Sequence, residues 1–401
     1  MAAQQYQAPE SVSRLQQRAF IVGGIALLIS ILGAMRTPEL FYPSYLMSFM
    51  LILGLTVGSL GLLMLQHLTS GHWGIIIRRS LESASRTLPL LVIAFLPIVL
   101  FGMRYLYSGH EKETGWLNAP PTGEGALSDF QKNYLTAHGF YTRAAIYFAV
   151  WLALMFIFNI LSKQQDANPE DRALRLRFKM LAGPGIILYV FAMTFAVIDW
   201  VMSLSPHWAS TIYGFLFVAG QLISAMAFMI AVVVLLARTE PFASVLQKRH
   251  LHDLGKLLLA FVMLWAYFDF SQLLIIWSGN QPEEITFYRT RLYGGWGVVA
   301  VIVLVFHFFV PFFLLLSQDV KRNAKVLPKI AMWLIFMRLV DLFWMTRPEF
   351  TSRAIPTWLD VVLPLGLGGL WLGFFAFNLK QCPILPLGDP KLAEAIEHHE
   401  H

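Results

Sequence analysis

One cysteine, Cys382, is all the thiol that 401 residues carry. A lone cysteine excludes a disulfide framework, a CxxC redox pair and the thiolate cage of an Fe–S cluster. Charge is scarce as well: Asp, Glu, Lys and Arg make up 13% of the chain, about half of what soluble domains use. The formal charge of +6 sits mostly in one set of loops and gives no ground for nucleic-acid binding. No small-residue cleavage site flanks the first apolar run, so an uncleaved anchor is expected, with no removed signal peptide. Any metal would fall to the eleven histidines.

What the chain has is apolar surface. Hydrophobic residues account for 57% and aromatic residues for 14%, in blocks of about twenty, the length that crosses a bilayer as a helix. The expected fold is an all-α integral membrane protein of ten helices. They run near 19–35, 45–68, 87–107, 141–161, 181–203, 210–236, 252–279, 293–317, 326–345 and 358–378. Lys and Arg set the sidedness. Both termini and one set of loops carry twenty, from Arg14 and Arg78 through Arg172 and Lys321 to Lys391. The opposite loops carry eight: Arg36, Lys112, Lys132, Arg143, Arg289, Arg291, Arg347 and Arg353. By the positive-inside rule both termini are cytoplasmic. The long outer loop 108–140, rich in Gly and Pro, is either a partner-docking surface built on Trp116 and its double proline or a solvated linker.

Helices 2–5 and 6–9 read as two copies of one unit. RRSLESASR (78–86) aligns with KRHLHDLGK (248–256) without a gap, and IDWVMSLSP (198–206) aligns with VDLFWMTRP (340–348). The latter pair each place an Asp seven residues before a Pro, and GFYTR (139–143) resembles TFYRT (286–290). Four helices per copy means both copies enter from one side, so the repeats are parallel, related by an axis along the membrane normal. Each copy is expected to be a four-helix bundle. The chain then divides into a tail with helix 1 (1–44), a first bundle (45–209), a second bundle (210–350), and helix 10 with its tail (351–401).

A charge at the bilayer centre costs about 2.5–3.5 kcal/mol, so ionisable residues there are enclosed and kept for a reason. Asp199 and Asp341 fall at matched outer ends of helices 5 and 9, with His207 beyond Asp199. Asp269 lies in the outer half of helix 7, followed by Ser271 and Gln272, which can hydrogen-bond it; its repeat counterpart is Val99. Arg338 and His307 lie near mid-depth, and His67, His252 and Asp253 near the cytoplasmic side. Carboxylates and imidazoles staggered through the membrane are the materials of a proton relay. The alternatives are a self-neutralising Arg338–Asp341 pair that specifies packing, and helix-end anchoring by Asp199 and Asp341. Bis-histidine haem would need two facing axial ligands. Only His67 and His307 are deep, at different depths, so no haem is expected in this chain. A secondary transporter would carry matched Gly/Pro breaks in both halves, and no span shows them.

The segments FAVIDWVMSLSPHWASTIYG (195–214), FDFSQLLIIWSGNQPEE (268–284), HFFVPFFLLLSQDVKR (307–322) and HWGIIIRRS (72–80) closely resemble the two large membrane subunits of bacterial alternative complex III. The resemblance runs from about helix 2 through helix 9. Those subunits are similar to the polysulfide-reductase membrane-subunit (NrfD-like) family, whose fold is two four-helix bundles with flanking helices. The resemblance implies a bacterial cytoplasmic membrane and a complex that oxidises a quinol, commonly menaquinol. It implies partners that own the redox centres: a second NrfD-like subunit and extracytoplasmic Fe–S and c-type haem subunits. This chain would then carry no covalent or metal-ligated cofactor, and would be non-catalytic or offer a quinone-facing surface. Matched residue by residue, Asp199 and His207 fall on the outer side and Asp269 in helix 7. A purely structural scaffold subunit is the remaining alternative.

Overall fold

The computed structural model describes residues 6–110, 113–123, 125–169, 171–240, 242–389 and 392. Lys112, Lys391 and the side chain of Arg172, all used in reading the sidedness, lie outside the described residues. Each apolar run folds as a helix: α1 (Glu10–Arg36), α2 (Pro38–Thr69), α3 (Arg78–Leu106), α4 (Ala137–Ala167) and α5 (Arg172–Trp200). Then follow α6 (Tyr213–Leu236), α7 (Lys248–Gly279), α8 (Trp296–Leu316), α9 (Leu327–Thr346) and α10 (Leu359–Leu379). Among the described residues, nine are long and apolar enough to cross a membrane. α9 is 20 residues long but carries Lys329, Arg338 and Asp341. The chain is an all-α, multi-pass membrane protein.

Local chemistry sets the helix ends. Pro38 opens α2 at a position whose N–H has no helical acceptor in any case. Ser70 and Asn280 close α2 and α7 in the left-handed region, with φ 51° and 49°, a conformation that short polar residues tolerate.

α2 and α6 form the interior. α2 is buried throughout its apolar stretch and α6 nearly so; the two pack on each other, with α5, α9 and α10 also against α2 and α5, α7 and α9 against α6. A Cβ on Gly58 would sit 2.6 Å from the Gln221 carbonyl oxygen, so glycine is what lets α2 and α6 meet there. α1 docks on α10 in the same manner: a Cβ on Gly23 would lie 2.6 Å from the Leu370 nitrogen. The opposite face of α1, with Ile21, Ile25, Leu28 and Leu32, is exposed and suited to lipid. Both chain ends emerge at one end of the molecule, where the Ile384 N–H donates to the Tyr6 carbonyl at 2.8 Å.

The 108–140 segment is neither a loose linker nor an open platform. Two short strands, β1 (Gly109–His110) and β2 (Glu113–Thr114), pair antiparallel, and the helix Asp129–Tyr134 starts with a capping box between Ser128 and Gln131. Gln131 donates to the Pro206 carbonyl at 2.6 Å, and Lys132 to that of Pro121 at 2.9 Å. Trp116, a candidate docking residue by sequence, is buried against Tyr107 and Phe140. Its indole serves the core because the loop folds back onto the bundle.

Candidate functional site: a two-carboxylate cavity between α7, α8 and α9

A cavity of about 190 Å³ separates α7, α8 and α9. Asp269 from α7 and Asp341 from α9 both line it, with Tyr288, Trp344 and Gly297. Its outer wall includes Leu273, Leu292, Val301 and Leu304, all well exposed on the face that meets lipid. The cavity therefore joins an oily opening to two acidic groups inside the helices.

The two acids are held differently. Asp341 is fully buried and forms an ion pair with Arg338, one turn away on the same helix. The Arg338 guanidinium packs against Gly220, where any side chain would strike it, and lies 5.2 Å from the Phe217 ring centroid. Asp269 has no ion-pair partner among the described residues. It is half-buried, and its charge is felt by Asp341 and Tyr288. Burial raises the Tyr288 phenol above its ordinary pKa and the Asp269 charge adds to that, so the hydroxyl stays a neutral donor. Gln272 is buried on the neighbouring face of α7 and accepts from Ser210 at 3.1 Å.

Behind Asp341 lies His307. α8 opens into a π-helical turn at Leu304–Phe309, a local insertion found often at functional sites. His307 in that turn is completely buried, with the Trp265 ring against it edge-on at 4.5 Å and 86°. Neither ring nitrogen has a hydrogen-bond partner among the described residues. Asp269, Gln272, His307, Arg338 and Asp341 thus gather in one region. Ser271 is half-buried and does not line the cavity.

The other predicted residues stand apart. His67 is buried near the opposite end, stacked 4.1 Å from Phe178. His252 is buried, and Asp253 pairs with Lys256 at 3.3 Å on the surface. The His67 Nε2 and His252 Nδ1 atoms have no hydrogen-bond partner among the described residues. His207 is half-buried in the turn between α5 and α6. Asp199 is fully buried and saturated: Arg143 donates to its two oxygens at 2.8 and 2.9 Å, and Tyr147 at 2.7 Å.

Sequence reading passed over a second polar cluster. Glu82 is buried between Arg78, at 3.1 Å, and Arg79, at 2.8 Å, and accepts from Ser162 at 2.6 Å. Arg79 also pairs with Asp166, and Arg78 with Asp389 at 3.2 Å, which ties the C-terminal segment to α3 and α4. The i+3 and i+4 spacing inside RRSLESASR was the available signal. Asp360 was missed as well; it accepts from Ser44 at 2.6 Å and pairs with Arg347 at 3.3 Å. Burial lowers the pKa of Arg347 and the Asp360 charge opposes that.

Fold and cavity define the class: a multi-pass helical membrane protein with ionisable groups enclosed among its helices. The chain matches no family model and no curated protein. Among the described residues no group of three or more His, Cys, Asp or Glu side chains could hold a metal ion.

Proposed function

We propose that this chain is an integral subunit of a quinol:cytochrome c (or other acceptor) oxidoreductase of the alternative-complex-III type, in a bacterial inner membrane. It crosses the membrane ten times, as two parallel four-helix units (α2–α5 and α6–α9) flanked by α1 and α10, with both termini cytoplasmic. Its contribution is a protonatable path and a quinone-facing surface, while Fe–S and haem groups belong to partner subunits.

One observation carries the reading: Asp269, without a cation, and Asp341 face the same lipid-open cavity. Two carboxylates in one field titrate as a unit, so a proton taken by either is felt by the other. Quinol oxidation releases protons, and a carboxylate next to an oily opening can accept one and pass it inward toward Asp341, Arg338 and His307. Redox state and proton occupancy are then linked. The resemblance of the FDFSQ and DWVMS segments supplies the redox context.

The test uses the complex purified through this chain and reconstituted in proteoliposomes. A haem-bearing assembly should co-purify, and Asp269→Asn should slow quinol-driven proton release. If the chain isolates alone, the complex assignment fails; if proton release and electron transfer are unchanged, the path assignment fails.

A further inference from the structure

Cations on the sparse side of the molecule are nearly all neutralised internally. Arg143 pairs with Asp199 at 2.8 Å, Arg291 with Glu349 at 2.8 Å, Arg347 with Asp360 at 3.3 Å and Lys132 with Asp129 at 3.9 Å. Arg36 ends α1, where helix carbonyls favour positive charge. Arg289 and Arg353 remain, exposed and with no ion pair among the described residues. They come from segments about sixty positions apart, yet both line a single hollow of about 620 Å³, with Thr286, Thr290, Tyr293 and Ser352.

The hollow is rigidly built. The Ala354 N–H donates to the Gly294 carbonyl at 3.0 Å, and the Trp296 indole N–H to the Thr351 carbonyl at 3.2 Å, so its two walls are fastened together. Gly294 has φ 64°, and a side chain there would run into the Ser352 carbonyl. The surroundings are apolar: Tyr293 is 72% exposed, Ile355 63% and Trp358 48%. Exposed aromatic and aliphatic residues at a helix end mark the membrane boundary.

We propose that this hollow binds the phosphate headgroup of an anionic phospholipid. Two guanidinium forks suit a phosphate's oxygens, hydroxyl-bearing side chains line the walls, and the apolar rim accommodates the glycerol and upper acyl region. An acidic protein segment would leave that rim exposed to water. The inference rests on the membrane placement of the helices and is independent of the redox complex.

The test takes the full chain in nanodiscs of phosphatidylcholine with or without phosphatidylglycerol, and counts retained lipid by native mass spectrometry. The native chain should hold phosphatidylglycerol selectively. Arg289→Gln with Arg353→Gln should weaken that retention about tenfold, with an unchanged melting point in phosphatidylcholine alone. Arg289→Lys with Arg353→Lys should fall between the two. Equal retention by the glutamine variant overturns the proposal. Full displacement by millimolar inorganic phosphate would make this a free-phosphate site, and preferential binding of a polyglutamate peptide a protein-docking site; either also overturns it. These competition arms use the native chain and so hold even if a variant fails to fold.

Discussion

The α2–α5 and α6–α9 halves each place an aspartate seven residues before a proline, yet treat it in opposite ways. In the first half, Asp199 receives a two-pronged Arg143 from α4 and the Tyr147 hydroxyl. The next residue, Trp200, is walled in by Phe95 at 4.5 Å, Phe148 at 5.7 Å and Trp151 at 6.1 Å. In the second half the arginine near the corresponding position, Arg291, turns away, to Glu349 and to the Met345 carbonyl, both at 2.8 Å. Asp341 takes its cation from its own helix and keeps a face toward the cavity and Asp269. A cross-helix pair with all acceptors filled locks two helices and leaves nothing to titrate. An in-helix pair beside a cavity neutralises the charge and leaves the acid reachable.

The sharpest way to break this comparison is at Arg143. Arg143→Met strands Asp199 in the core and should cost about 3–5 kcal/mol, read as a large fall in thermal midpoint in detergent. Adding Asp199→Leu should restore most of it; a double variant as weak as the single would show that the pair is not a simple lock. Asp341→Asn is expected to cost somewhat less, about 2–3 kcal/mol, because Arg338 keeps its amide partner and the Phe217 ring. Asp269→Asn removes no ion pair and should stay within about 1 kcal/mol of the native stability, while altering proton release in the assembled complex. A loss as large as that of Arg143→Met would place Asp269 among the structural pairs. The smallest effect is expected at His307. His307→Phe replaces a ring whose nitrogens lack protein partners and should be neutral or raise stability by up to about 1 kcal/mol. A clear loss would sharpen the contrast by showing that the nitrogens are hydrogen-bonded in the membrane.

Much of the helical layout was readable because bilayer thickness and apolar run length are coupled. Each run appears as a helix, extended at its ends by polar turns such as Lys248–Asp253 on α7. The enclosed charges were readable as well, since a charged residue in an apolar run advertises itself. Their partners were not. Arg143, counted only as an outer loop cation, is the lock on Asp199, 56 residues away. Glu82 lay unnoticed in a basic stretch although it joins two arginines and the α4 end. Trp116 looked available on a polar loop and is core. In each case the deciding contact spans helices, and hydropathy along the chain carries no information about which side chains meet across them.

Composition alone determined that this chain is helical and lives in a membrane, because 57% hydrophobic residues in bilayer-length blocks have no stable aqueous arrangement. It also determined which residues would need enclosing. Tertiary structure decided which acids are silenced and which face a cavity, since that depends on the direction an arginine leaves its helix. Two segments alike in sequence thereby acquired different chemistry.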